Sequence, residues 1–413
     1  MSRFKKRRKG KKQYTQSEHA APRWSHRSAC YNFVTLKPAG IYIHVPFCRS
    51  RCSYCDFATG MYQESAAERY VTSLVHEIES WQAVGDELPV DTIYFGGGTP
   101  SLLSAAQLER VLNAVRGRFN VSAGAEITME MNPGTVTDQA LTAFRQLGIN
   151  RASFGAQTFD DRELARLGRS HTVAETRRTF SLLRGVGFDN VSFDLIAGLP
   201  GQSMEGWLGN LDQAFALRPE HLSFYLLEVH EGTPLADHIK KGNQPAPDDE
   251  MASEMYSAML ARVGREGYEH YEISNLALPG FHSRHNIKYW TGAAYYGFGC
   301  SAHSFDGVAR RWANERDVAS YVRLIEHQQS PVVETRRLSD EERREEAIFL
   351  GMRMMQGIRT EELRESFGID LPVEHKNELE RFRQAGLVEF DGDLLKLTTT
   401  GAVLSNEVFA ALI

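Results

Sequence analysis

The chain has 413 residues, long for one compact domain, and its 42% hydrophobic and 24% charged residues are those of an ordinary water-soluble globular protein. No apolar run approaches a membrane-spanning length, and no signal-peptide-like apolar segment follows the basic start, so a spanning or secreted protein is not expected. The net charge of −6 hides an asymmetry: residues 1–12 carry eight Lys or Arg and no acid, so the remainder is more acidic than the total suggests. Residues 1–38 read as a basic, solvated tail and lead-in.

A rhythm of short β-branched runs and longer helical stretches then occupies 39–235. The strands expected are Ile41–Val45, Thr92–Phe95, Glu126–Glu130, Arg151–Ala156, Asn190–Ile196 and His221–Leu227. Between them, Glu64–Trp81, Ser104–Arg118, Thr137–Leu147, Val173–Arg184 and Ser203–Ala216 repeat apolar residues at helical spacing. Ser104, Thr137 and Ser203 stand where N-caps belong. Such alternation implies βαβ units and a parallel sheet, and six strands suggest an α/β fold with a partial (β/α)6 barrel. Chemistry in such barrels sits at the C-terminal strand ends.

The rhythm breaks at about residue 235. Gly242–Asp249 reads as a loop and Asp248–Glu266 as a helix, while 267–312 is rich in aromatics and Gly with no clear repeat, so 236–330 is an accessory segment. From 331 to 413, helices are expected at Asp340–Met355, Thr360–Ser366 and Pro372–Gln384. A hairpin, Leu387–Phe390 and Leu394–Leu397, turns at Asp391-Gly392-Asp393, and Thr399–Leu412 closes the chain. This order suggests a winged-helix-like α+β domain. It holds 11 Lys or Arg against 17 Asp or Glu, unlike the basic face that nucleic acid demands, so no nucleic-acid partner is expected.

Three of the five cysteines fall within eight residues, in His44-Val45-Pro46-Phe47-Cys48-Arg49-Ser50-Arg51-Cys52-Ser53-Tyr54-Cys55-Asp56-Phe57. A disulfide scaffold would spread its cysteines through a smaller chain; clustered thiols point to a metal site in a reducing compartment, hence a cytoplasmic protein. Thiolates suit an iron–sulfur cluster, and three of them leave one iron open to a small molecule. A zinc site with His44 as fourth ligand is the alternative. Cys30 and Cys300 read as incidental or buried.

Cys-x3-Cys-x2-Cys after a first strand, with Gly96-Gly97-Gly98-Thr99-Pro100 after the second, resembles the radical S-adenosylmethionine superfamily. More narrowly, the chain from about Gly40 onward resembles the family of oxygen-independent coproporphyrinogen III oxidase, HemN, and its relative HemW. The resemblance implies that Cys48, Cys52 and Cys55 hold a [4Fe–4S] cluster whose open iron chelates S-adenosylmethionine. It implies a contact from Tyr42 to that cofactor, and binding of its methionine part by the turn holding Gly97, Gly98 and Thr99. Glu130, Gln157, Arg169 and Asp194 match further positions that hold the cofactor; read alone, Asp194 is a buried acid in need of a partner such as Arg169.

Two marks favour HemW over the oxidase. Phe57 stands where the oxidase carries a fourth cysteine, and His285-Asn286-Ile287-Lys288-Tyr289-Trp290 resembles the His-Asn-x-x-Tyr-Trp motif of HemW. The resemblance therefore implies haem as a ligand, delivery of haem to acceptor proteins including membrane-bound respiratory enzymes, and an electron donor for the cluster. An imidazole and aromatic rings suit haem, which makes His285 the candidate ligand. The same residues also read as a core histidine in an aromatic cluster, and His282, Cys300 and His303 are nearby competitors. Oxidative decarboxylation of coproporphyrinogen III is the alternative activity.

Overall fold

The computed structural model describes residues 37–82 and 88–413. The basic tail other than Lys37 and Pro38, and with it Cys30, lies outside the described residues. Among the described residues no helix is long and apolar enough to cross a membrane.

The six expected strands are β1 (Ala39–Val45), β2 (Val90–Gly97), β3 (Val121–Met131), β4 (Arg151–Gln157), β5 (Val191–Ala197) and β6 (His221–Leu226). They lie side by side in chain order, all parallel. Because side chains alternate along a strand, each strand presents two different faces. Ile41, Ile43, Ile93, Phe95, Phe154 and Phe193 fall on one, buried in the main core against the helices. The register Tyr42↔Tyr94↔Thr128↔Arg151 places polar groups together on the other, and Gly155↔Asp194↔Ser223 continues it. Parallel strands are usually apolar on both faces; here the polar face lines the inside of a curved, open barrel. The crossover helices start at side-chain caps: Ser104 forms a capping box with Gln107, and Thr137 and Ser203 cap theirs, each worth about 1 kcal/mol.

The stretch without a readable repeat, 267–312, extends this sheet at both edges. Strands β7 (Glu269–Glu272) and β8 (Asn275–Ala277) add antiparallel to β6. Strand β9 (Tyr295–Phe298) adds parallel to β1, followed antiparallel by β10 (His303–Phe305), β11 (Arg310–Asn314) and β12 (Val332–Arg337). The sheet thus runs to Arg337, past residue 330, and the two ends of its strand order stay apart, so the barrel is open. Helix α1 (Arg284–Trp290) lies across the N-terminal ends of β1 and β2. A Cβ on Gly40 would come within 2.8 Å of Lys288 and 3.1 Å of the His285 ring, so glycine there permits this close seat.

The C-terminal part has its own core around Ile348, Leu363, Phe382, Leu395 and Phe409. Helices α2 (Asp340–Met352), α3 (Thr360–Phe367) and α4 (Lys376–Gln384) precede the hairpin β13 (Val388–Asp391) and β14 (Leu394–Leu397), which Ile358–Arg359 joins as a third strand. Two expected helices are each broken once: at His375, whose φ of −116° leaves helical space, and at Leu404, with φ −110°.

Candidate metal and cofactor site

The three cysteines sit on the loop that leaves β1 and returns through a two-residue parallel ladder, Phe47–Cys48 with Gly60–Met61. The glycine turn after β2 is stitched to this loop. Gly98 N–H donates to Val45 O at 2.8 Å and Thr99 N–H to Phe47 O at 2.7 Å. A Cβ on Gly98 would meet the Phe47 carbonyl oxygen at 2.7 Å, so no larger residue fits this contact. Gly97 carries φ +105° and faces the His44 ring. Its N–H donates to Glu130 at 3.2 Å.

A chain of side chains joins two of the cysteines. The Thr99 hydroxyl donates to Cys48 Sγ at 3.7 Å and accepts from Asn132 Nδ2 at 2.8 Å. Asn132 Oδ1 accepts from Arg169 at 2.8 Å, and the same guanidinium donates to Gly155 O at 2.9 Å and to Cys52 Sγ at 3.4 Å. Burial pushes the Cys48 thiol up, opposed by the Thr99 hydroxyl. Burial also raises Cys55, opposed by the Phe57 backbone. Donors aimed at sulfur are what a cluster-bound thiolate needs, so the loop fits an iron–sulfur group. His44, the alternative fourth ligand for zinc, is engaged at both ring nitrogens, with the Tyr42 hydroxyl at 3.0 Å and Ala58 O at 3.0 Å.

Inside the barrel, just below the glycine turn, Glu130 accepts from Tyr94 at 2.7 Å, and burial pushes its carboxyl up to about 7. Asp194 is likewise raised by burial, against the Ser223 hydroxyl and the charges of Arg151 and Arg169. The expected Arg169–Asp194 pair is not how the guanidinium is used; it goes to Asn132, Gly155 and Cys52. Gln157 ends β4 with φ +65° after an irregularity in the β4–β5 register. A Cβ on Gly155 would sit 2.1 Å from the Gln157 amide nitrogen, so a larger residue there would displace the Gln157 side chain. Two carboxyls under desolvation strain, beside a half-exposed glycine turn, fit a ligand bearing an ammonium and a sulfonium, as S-adenosylmethionine does.

Tyr42 stacks on Tyr94 at 6.2 Å, and Tyr94 stacks on His285 at 5.1 Å. His285 therefore closes the barrel floor, away from the cysteine loop. It is 1% exposed. Its Nδ1 meets the Thr92 hydroxyl at 2.9 Å and its Nε2 the Tyr289 hydroxyl at 3.0 Å. Burial, with the charges of Lys288 and Arg151, lowers its pKa to about 3. A ring with both nitrogens engaged offers none to iron, so in this arrangement His285 is a core histidine. Cys300 is buried against Tyr70, and His282 is held by Glu269. His303 lines a cavity of about 370 Å³ beside Asp56 and Phe57 of the cysteine loop.

Asn132, Tyr94 and Arg151 were not singled out from the sequence. Asn132 precedes Pro133 and reads as a turn residue; Tyr94 reads as a strand aromatic. Only an alternation count across the strands, showing one polar face, would have indicated them.

Residues 42–214 match the radical SAM superfamily and 338–404 the HemN C-terminal domain. The heme chaperone HemW of Bacillus subtilis is 34% identical over 371 residues, covering 90% of this chain and 98% of that protein. The chain belongs to the HemW family. The heme chaperone HemW of Escherichia coli is 40% identical over 273 residues, 65% of this chain and 71% of that protein. The solved coproporphyrinogen III oxidase HemN of Escherichia coli, a radical SAM enzyme, superposes with a TM-score of 0.78 at 22% identity, covering 91% of this chain and 90% of that one. This chain and that oxidase thus share one fold. Phe57 is 64% exposed beside the cysteine loop.

Proposed function

We propose that this chain is a haem chaperone of the cytoplasm. It holds a [4Fe–4S] cluster on Cys48, Cys52 and Cys55 and S-adenosylmethionine at the mouth of the barrel. It binds haem and passes it to haem-requiring proteins, respiratory enzymes among them, and an external electron donor serves the cluster. The observation that carries the reading is the match along 98% of a protein named heme chaperone; Phe57 at the place of a fourth thiol supports it.

When bound, the cluster and S-adenosylmethionine supply one-electron chemistry. The chain's own residues do the holding. Thr99 donates onto Cys48 and Arg169 onto Cys52, supplying hydrogen bonds to the sulfurs that would ligate iron. Glu130 and Asp194, both raised by burial, would hold the positive groups of the cofactor, and a cation there would relieve their desolvation strain. Gly97 and Gly98 give the methionine part close backbone approach. Tyr42 and Tyr94 form the ring surface beneath, and Gln157 closes the rim.

The test is anaerobic reconstitution followed by haem titration at the Soret band. Saturable, near-stoichiometric binding is expected, together with no conversion of coproporphyrinogen III to protoporphyrinogen. Failure to bind haem, or turnover of the porphyrinogen, would overturn the reading in favour of an oxidase.

A further inference from the structure

Arg151 opens β4 near the barrel floor, on the polar face and opposite Thr128 on β3. It is 1% exposed, and its Nε is buried without a hydrogen-bond partner among the described residues. The sheet register shows where its charge acts. Residues two apart on a strand share a face, so the face that carries Arg151 continues through Ser153 and Gly155. Glu130 on β3 stands beside Ser153, and Asp194 on β5 stands beside Gly155. A serine and a glycine are too small to screen a guanidinium from the two carboxyls above it.

A buried cation is costly unless something answers it. Asp194 is the acid that the sequence gave to Arg169, but Arg169 is committed to Asn132, Gly155 and Cys52. Of the two guanidiniums, Arg151 weighs more on the Asp194 carboxyl. It also opposes the burial that raises Glu130. Both carboxyls take their hydrogen bonds elsewhere: Asp194 from Ser223 on β6, Glu130 from Tyr94 on β2 and from the Gly97 N–H. Arg151 therefore acts on them through space.

The other charged and titratable neighbours do not take over this role. Glu130 and Asp194 raise one another's proton affinity. The phenols that feel them, Tyr42 on β1, Tyr54 on the cysteine loop, Tyr94 on β2, Tyr225 on β6 and Tyr289 on α1, are all raised by burial and stay neutral. His221 on β6 and His285 on α1, which also feel Arg151, are lowered by burial and stay neutral above pH 6.5. Near neutral pH the two carboxyls are thus the groups of the barrel interior poised to change charge.

We propose that Arg151 is a positioning residue for S-adenosylmethionine: it touches no ligand itself, and its charge holds Glu130 and Asp194 as carboxylates for the cation that arrives at the barrel mouth. The proposal rests on the reading of that mouth as the cofactor site. The test measures S-adenosylmethionine dissociation constants of the anaerobically reconstituted full chain from about pH 6.5 to 9, in wild type, Arg151→Met and Arg151→Lys. Comparing variants at each pH cancels the titration of the cofactor's own amine. Near neutral pH, Arg151→Met is expected to weaken binding about tenfold or more, a change of about 1.4 kcal/mol. The deficit should fade toward the alkaline end, where both carboxyls ionise without help, and Arg151→Lys should recover most of the affinity near neutral pH. Because Arg151→Met removes an unpaired buried charge, the apo variant should melt no lower than wild type. A deficit of equal size at every pH, unchanged binding, or a lysine that restores nothing would overturn the proposal. So would a methionine variant that melts lower or fails to fold, since Arg151 would then be a structural part of the floor. If wild type binds no S-adenosylmethionine, the reading of the mouth falls first and the proposal with it.

Discussion

Asn132 occupies the middle of the chain from Cys48 to Cys52, donating to Thr99 and accepting from Arg169. Its two ends therefore do different work, and two substitutions separate them. Asn132→Leu removes both bonds and leaves Thr99 and Arg169 each one partner short, at a cost of about 1–3 kcal/mol. Asn132→Asp keeps the acceptor for Arg169 but presents a second acceptor to Thr99. The Thr99 hydroxyl then turns to the carboxylate and away from Cys48. The apo protein should accordingly melt close to wild type as Asn132→Asp and distinctly lower as Asn132→Leu. In Asn132→Asp the cluster potential should fall, because hydrogen bonds to sulfur and local charge set it. Equal melting of both variants, or an unchanged potential, would remove this role. The cysteine spacing made the ligands readable in the sequence, but the bridge was not. A hydrogen bond between Asn132 and Arg169 spans 37 residues, and no local pattern encodes it.

At the scale of elements, α1 is the plug of the barrel floor. Its N-terminus is capped by Ser283, and the backbone N–H groups of Arg284 and His285 donate to Glu126 at 3.2 and 3.1 Å, a carboxylate where the helix dipole favours one. Lys288 reaches Asp91 and the Pro38 carbonyl. The buried His285 ring makes this plug pH-sensitive. Its folded pKa, about 3, lies below the ordinary 6.5, so between these values the unfolded chain binds the extra proton. Stability is complete above pH 6.5 and falls as the pH drops, by about 1.4 kcal/mol per unit for one proton. Glu77 and Glu130, raised to about 7 by burial, act in the opposite sense over their own range. Comparing wild type with His285→Gln cancels those shared contributions. From pH 6.5 to 5, denaturant titrations should show wild type losing about 2 kcal/mol more than the variant; parallel curves would mean the imidazole is charged or exposed in the folded state. The six parallel strands were legible because one face of each is continuously apolar. Strands β7 to β11 were not: they are three to five residues long, rich in polar and aromatic residues, and fixed by pairing to the sheet edges rather than by their own periodicity. The His-Asn-x-x-Tyr-Trp segment was visible as a motif, yet its i, i+4 spacing puts His285 and Tyr289 on one helix face, where the tyrosine hydroxyl engages the imidazole.

At the scale of the whole molecule, the most buried ion pair fastening the C-terminal part to the barrel lies at one seam, with the Arg311–Glu346 pair a second link. Arg353, just after α2, donates to Glu272 on β7 at 2.9 and 2.6 Å, and the Glu272 side chain is fully buried. Backbone bonds from Ile273 N–H to Arg353 O and from Met355 N–H to Tyr271 O flank the pair. The Arg353 guanidinium also lies 4.4 Å over the Trp290 ring of α1. Removing one partner of a buried ion pair leaves the other charge stranded, which costs about 3–5 kcal/mol. Arg353→Ala should therefore destabilise the protein by that order in denaturant titration and open the segment after β12 to limited proteolysis. Glu272→Gln in the same background restores a neutral hydrogen-bonding group and should recover much of the loss. The cysteine loop is built from β1, β2 and β4 and touches none of this seam, so cluster assembly should survive in Arg353→Ala. Loss of the cluster on cutting the seam would show instead that the C-terminal part helps to hold the cysteine loop.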